Sequence, residues 1–185
     1  MKRLLFLGAA IACAAMTREA KATDYYVEGN VSGGGSTWGS ADPNVQGALR
    51  TGFEFLDIIS VDLQGRLGYA SVDERMLMMV GLGTKLALPI EPFIPHIRLQ
   101  AIHFHESPVD VMKHDPFMHA MGVGDGIRHR FGFEAGLGAS YLFAKVKRAN
   151  FLAQMEGYVD AFPDDGKGPV VYGGAGLGVG MQYGL

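Results

Sequence analysis

The sequence holds one cysteine, Cys13, and it lies close to the N-terminus. Disulfide scaffolds and thiol chemistry are therefore not available to the rest of the chain. Past the N-terminal segment there is no run of about 18 apolar residues, which excludes a helical membrane span. Sixteen basic residues stand against nineteen acidic ones, a net charge of −3, so the basic footprint of a nucleic-acid binder is missing. No segment carries a convincing amphipathic-helix period. The glycines Gly173, Gly176 and Gly178 fall on a predicted strand with no helix after it, so they are not a nucleotide-binding fingerprint.

The chain is nevertheless 48% apolar, and 27 of its 185 residues are glycine, roughly twice the average usage of about 7%. A chain this apolar without long apolar runs is one whose apolar residues alternate. The N-terminus reads as a secretory leader: Lys2 and Arg3, an apolar stretch from Leu4 to Met16, and an Ala20-Lys21-Ala22 cleavage site that predicts a mature start at Thr23. The residues before Cys13 lack the leucine of a lipoprotein box. From Thr23 onward 12 basic and 18 acidic residues remain, a net charge of −6.

The segment after the leader divides into eight alternating stretches: Asp24–Ser32, Val45–Leu56, Ser60–Ala70, Leu77–Leu88, Phe93–His105, Arg130–Phe143, Asn150–Phe162 and Val170–Leu185. Each meets or slightly exceeds the 9–11 residues or so that a tilted strand needs to cross a bilayer. Their connections alternate. Asp57–Ile59, Pro89–Pro92 and Ala144–Ala149 are short; Gly33–Asn44, Ser71–Met76, Glu106–His129 and Pro163–Pro169 are longer or more polar. Short periplasmic turns and longer external loops are the outer-membrane pattern.

Side chains on a strand alternate between its faces. One parity is free of charge throughout. The other holds Glu28, Arg50, Glu54, Asp62, Arg66, Lys85, Arg98, Glu134, Glu156 and Asp160. An interior of eight strands is only wide enough for side chains to fill it or for one small ligand, so these six acids and four bases are expected to pair as a polar plug. The glycines Gly174, Gly176, Gly178 and Gly180 leave room inside, against which Arg50, Arg66 or Arg98 would pack. Tyr25, Phe53, Phe55, Phe93, Tyr141, Phe143, Phe151 and Tyr183 fall at the strand ends beside the short turns, as a lower aromatic girdle. Tyr69, Phe104, Phe131, Phe133 and Phe162 fall near the loop ends. Two aromatic bands are what membrane interfaces select.

On these features the chain resembles the small outer-membrane β-barrels of the OmpA-like, OmpX-like and opacity-protein type. The resemblance covers the whole chain after the leader. It implies an all-β, eight-stranded antiparallel up-and-down barrel in the outer membrane of a Gram-negative bacterium, with outer-membrane lipid, lipopolysaccharide and the outer-membrane assembly machinery as partners. The last strand is similar to the signal that machinery reads, through Gly180, Tyr183 and Leu185, although the chain ends on Leu rather than the usual Phe.

Three further chemistries are open to such a barrel. His105, His114, His119 and His129 offer metal ligands in or beside the longest loop, near His103, but their spacings match no closed metal site. The loop is read as solvated, with no metal or other cofactor expected. The motif His105-Glu106-Ser107 is similar to one in outer-membrane lipid A deacylases and acyltransferases. There Ser107 would be the nucleophile, His105 or His103 the base and Glu106 the orienting acid. In the deacylases the motif lies close to the C-terminus, whereas three strands follow it here. A narrow small-solute channel is the third. The expectation is a non-enzymatic barrel with a structural or surface-interaction role, acting through Glu106–His129 and through Gly33–Asn44 with its exposed Trp38, toward an extracellular partner and not toward nucleic acid.

Overall fold

The computed structural model describes residues 23–37, 42–163 and 168–185. The leader with its Ala22 cleavage site, and Trp38, lie outside these described residues. The chain forms eight strands: β1 Asp24–Ser36, β2 Asn44–Phe55, β3 Ile59–Ala70, β4 Arg75–Ala87, β5 Phe93–Pro108, β6 Arg128–Val146, β7 Ala149–Phe162 and β8 Val170–Gly184. Each pairs antiparallel with its sequence neighbour, and β8 pairs with β1 to close the barrel. Closure leaves no strand edge, the condition under which a β-structure can cross lipid.

Alternation dictates the wall. On β3 every odd residue from Val61 to Tyr69 is exposed and every even one from Ser60 to Ala70 is buried. The other strands alternate likewise through the middle of the barrel, with outward Met78 and Ser107 covered near the loop end, and the ten charges named above all face inward and are buried. Phe131, Leu137 and Leu177 are 74%, 69% and 70% exposed, while Arg98 and Asp62 are each 1% exposed. A surface this apolar around an interior this charged inverts a water-soluble core, and only a lipid surround favours it. Where β1 meets β8, Tyr25 faces Tyr183 and Val31 faces Leu177, all pointing outward. On the inner side of the same seam the strands approach closely: a Cβ added at Gly178 would lie 2.5 Å from the Gly29 carbonyl oxygen.

The turn end is tight. Leu56 and Asp57 both take φ of 57° between β2 and β3, and Ile58 tucks into the lumen behind them. The β6–β7 turn is Lys147-Arg148, shorter than the Ala144–Ala149 connection predicted, because both strands run further. A register shift between Leu142 and Ala144 absorbs Phe143 as an extra residue. At the other end β1, β5 and β6 rise past their predicted limits, and the remaining long loop folds into two short helices, α1 Val109–Met112 and α2 Pro116–Ala120.

The interior has two layers. The middle and turn end are polar. The loop end is closed by an apolar cluster of Leu77, Met79, Ile102, Phe104, Phe162, Val170 and Tyr172 with Ala70. Phe104 and Phe162 thus belong to the lumen and not to an outer aromatic band: they lie on the charged parity, and their rings stack 5.0 Å apart across the barrel. Tyr69, Phe131 and Phe133 do face outward.

Candidate functional site

Two regions concentrate polar chemistry, the lumen and the loop-end rim. In the lumen, successive inward positions on facing strands bring opposite charges together across the barrel. Arg98 on β5 reaches three carboxylates: Glu28 at 2.9 Å, Glu156 at 3.3 Å, and Asp62. Arg50 meets Glu156 at 2.5 Å and Glu134 at 3.6 Å. Arg66 pairs with Asp160 at 2.7 Å and with Glu134, and its guanidinium lies 4.3 Å from the centre of the Tyr158 ring. Lys85 joins Glu28 at 3.0 Å to Glu54 at 3.6 Å, 4.3 Å from the centre of the Tyr26 ring. All ten charges thus enter one network, knitted further by Gln64, Gln100 and His96. Buried ions are costly unless each finds partners, and here each of the ten has at least one oppositely charged neighbour.

The glycines of β8 do not accommodate the arginines. Gly174 is filled by Tyr158, Gly176 by Ser32, Gly178 by Asn30 and Gly180 by Glu28 and Gln154. It is β6 that yields to Arg98, whose Cβ stands 3.5 Å from a Cβ placed at Gly136.

A second buried cluster lies nearer the loops, and of its members the sequence had singled out only Glu106, in a different role. Arg75 pairs with Asp42 and, at 3.3 Å, with Glu106; Tyr172 donates its hydroxyl proton to Glu106. Arg75, Glu106 and Arg130 carry the same inward parity as the expected charges on their strands. Arg75 and Glu106 lie beyond the predicted strand limits, whereas Arg130 opens the predicted sixth stretch and its parity already pointed inward. Asp42 precedes β2 and gave no such signal.

The rim is built differently. His103 and His105 are successive outward residues of β5, and His129 on β6 lies directly opposite His105. Their rings gather with centroids 4.4 to 5.7 Å apart, beside Phe131. Ser107, two residues beyond His105, is fully buried and lies 3.2 Å from Nδ1 of His119 on α2. The expected triad does not assemble. Glu106 faces the lumen because it has the opposite parity from Ser107, His105 contacts His103 instead of Ser107, and the hydroxyl is sealed from substrate. His114 lies in the exposed turn between the helices, away from the other histidines.

The loop folds back over this rim. Gly122, at φ +77°, packs so closely on His105 that an added Cβ would lie 2.2 Å from the imidazole Cε1. Asp115 caps α2 by accepting from the Met118 amide. In α1 the hydrogen bond from Lys113 to Asp110, 2.7 Å long, holds that carboxyl below its usual range. Phe117 and Met121 remain 71% and 63% exposed, with Met118 and Val123 beside them. Below Met121 a broad open groove of about 1230 Å³ runs along the outer wall, lined by Val31, Leu49, Leu67 and Val80 and floored by Gly47 and Gly65.

The girdle residues Tyr25, Phe53, Phe55, Phe93, Tyr141, Phe143, Phe151 and Tyr183 all lie at the turn end of the outer wall. Three ring pairs form there: Tyr25–Phe53, Phe93–Tyr141 and Phe143–Phe151. Tyr183 and Leu185 end the chain on the outer face, and Gly180 faces inward.

A closed eight-stranded wall, apolar outside and ion-paired inside, defines the class: this is a small membrane-spanning β-barrel with the fold of the small outer-membrane barrels. Solved structures of that class superpose on it. Neisserial surface protein A is 12% identical, with 91% of this chain and all of that one covered at a TM-score of 0.56. Ail, the attachment invasion locus protein of Yersinia pestis, is 15% identical, with 89% and all covered at 0.54. No family model matches the sequence. No curated protein matches it.

Proposed function

We propose that this protein is a sealed, non-enzymatic barrel that presents the loop between β5 and β6 at the cell surface and contacts outer-membrane lipid along its groove. The observation that carries this reading is the contrast in what is left available. The lumen's charges are committed to one another, whereas the loop leaves Phe117, Met118, Met121 and Val123 exposed on an ordered platform. Exposed apolar patches on an ordered scaffold mark interaction sites. The groove under Met121 has the apolar lining and bare glycine floor that an acyl chain of lipopolysaccharide or phospholipid would fill. Two neighbours of the same fold are by name a surface protein and an attachment protein, so the fold admits such a use. Removal of the leader after Ala22, and reading of Gly180, Tyr183 and Leu185 by the assembly machinery, belong to the same proposal.

The test replaces residues 110–126 with a short Gly-Ser linker. The variant barrel should keep its heat-modifiable electrophoretic shift and lose binding to lipopolysaccharide-containing vesicles and to host-cell surfaces. Binding to both that survives the replacement would reject the loop as the interaction surface.

A further inference from the structure

We propose that His103, His105 and His129 form a binding site for a divalent transition-metal cation of the Zn2+ or Cu2+ class at the external rim of the barrel. The three side chains each offer a ring nitrogen, and these atoms all lie within 4.8 Å of one another. Sequence spacing concealed the set, because His103 and His105 are separated from His129 by the whole loop. The β5–β6 register, which puts His105 opposite His129, brings them together.

Three observations point to a ligand and not to a chance cluster. Nε2 of His103 and Nε2 of His105 approach to 2.6 Å, so one ring presents its lone pair to the N–H of the other and at least one imidazole is neutral. Among the described residues no carboxylate pairs with any of the three, in contrast to the charged side chains of the lumen. And Nδ1 of His103 has no hydrogen-bond partner in the protein, so no bond on that side of the ring opposes the rotation that coordination through Nε2 requires. Three neutral imidazoles are a standard donor set for Zn2+, and suit Cu2+ and Ni2+ as well.

The geometry needs only small adjustments. Nitrogens bound to one tetrahedral Zn2+ at about 2.0–2.1 Å stand about 3.3 Å apart. The closest pair must therefore open by under about 1 Å, within reach of a side-chain rotation. His129 is exposed and gives an entry path, and the Gly122 backbone covers His105 from the loop side. Three protein ligands leave a fourth position open to water or to a donor from outside. His114 and His119 take no part.

The experiment uses the untagged full barrel in detergent, titrated with Zn2+ and separately with Cu2+. Uptake of one equivalent is expected near pH 7.5, falling away as the imidazoles protonate below about pH 6. His103→Asn and His129→Asn should each weaken binding by roughly tenfold or more, while His114→Asn should leave it unchanged. Heat-modifiability reports the fold of every variant, and exposed His129 gives a substitution that leaves the buried interior untouched. Absence of stoichiometric uptake, or uptake that persists in the His103→Asn/His129→Asn double variant, overturns the proposal.

Discussion

The lumen and the rim of this barrel handle polar side chains in opposite ways. In the lumen every expected cation has a carboxylate within 3.6 Å, and Arg98 alone joins three strands through Glu28, Asp62 and Glu156. At the rim, among the described residues, three imidazoles gather without an acid, and the Ser107 hydroxyl lies beside His119. The lumen is thus filled by charges that pair with one another. The rim keeps a cluster of imidazoles and exposed apolar side chains. The difference teaches where to look: an eight-stranded barrel uses its interior to hold its shape, and its chemistry is displaced to where the strands leave the membrane.

The largest expected effect comes from breaking the lumen. Arg98→Met keeps the side chain's bulk but removes the cation shared by three buried carboxylates, and should cost about 3–5 kcal/mol, measured by urea unfolding in lipid vesicles. A loss below about 1 kcal/mol would mean that the network is not what closes the interior. The next contrast separates the two faces of one strand. Leu137→Arg puts a charge on the lipid face near mid-membrane and should cost about 2–4 kcal/mol. Its neighbour Gly136→Ser adds atoms inside, at 3.4 Å from Glu156 and 3.5 Å from Arg98, and should change stability by no more than about 1 kcal/mol, the size of one hydrogen bond. Equal costs at the two positions would contradict the assignment of faces.

The wall was legible in the sequence because a period-two pattern needs no knowledge of partners. Charge on one parity and none on the other placed Glu134 inside and Leu137 outside from their positions alone. What sits at the strand ends was harder. Phe104 and Phe162 were expected to face lipid as aromatics near an interface. Parity was the better guide, and they fill the lumen against Tyr172. Arg75 and Glu106 lay beyond the strand limits drawn from apolar content, because strands that rise past the membrane lose their outward apolar residues and no longer advertise themselves. Cross-barrel partners were not readable at all. Arg66 and Glu134 are 68 residues apart, and only closure of the sheet and its stagger decide that they meet. The same holds for His103 and His129, whose meeting depends on the register of two strands on either side of a long loop.

The claim that the interior is sealed, so that function lies at the loop end, is tested most directly by single-channel recording of the purified barrel in planar lipid bilayers. The closed lumen predicts no discrete conductance steps from the wild-type protein. Reproducible conductance steps from the wild type would contradict the account, because they would require an aqueous path through the ion-paired interior.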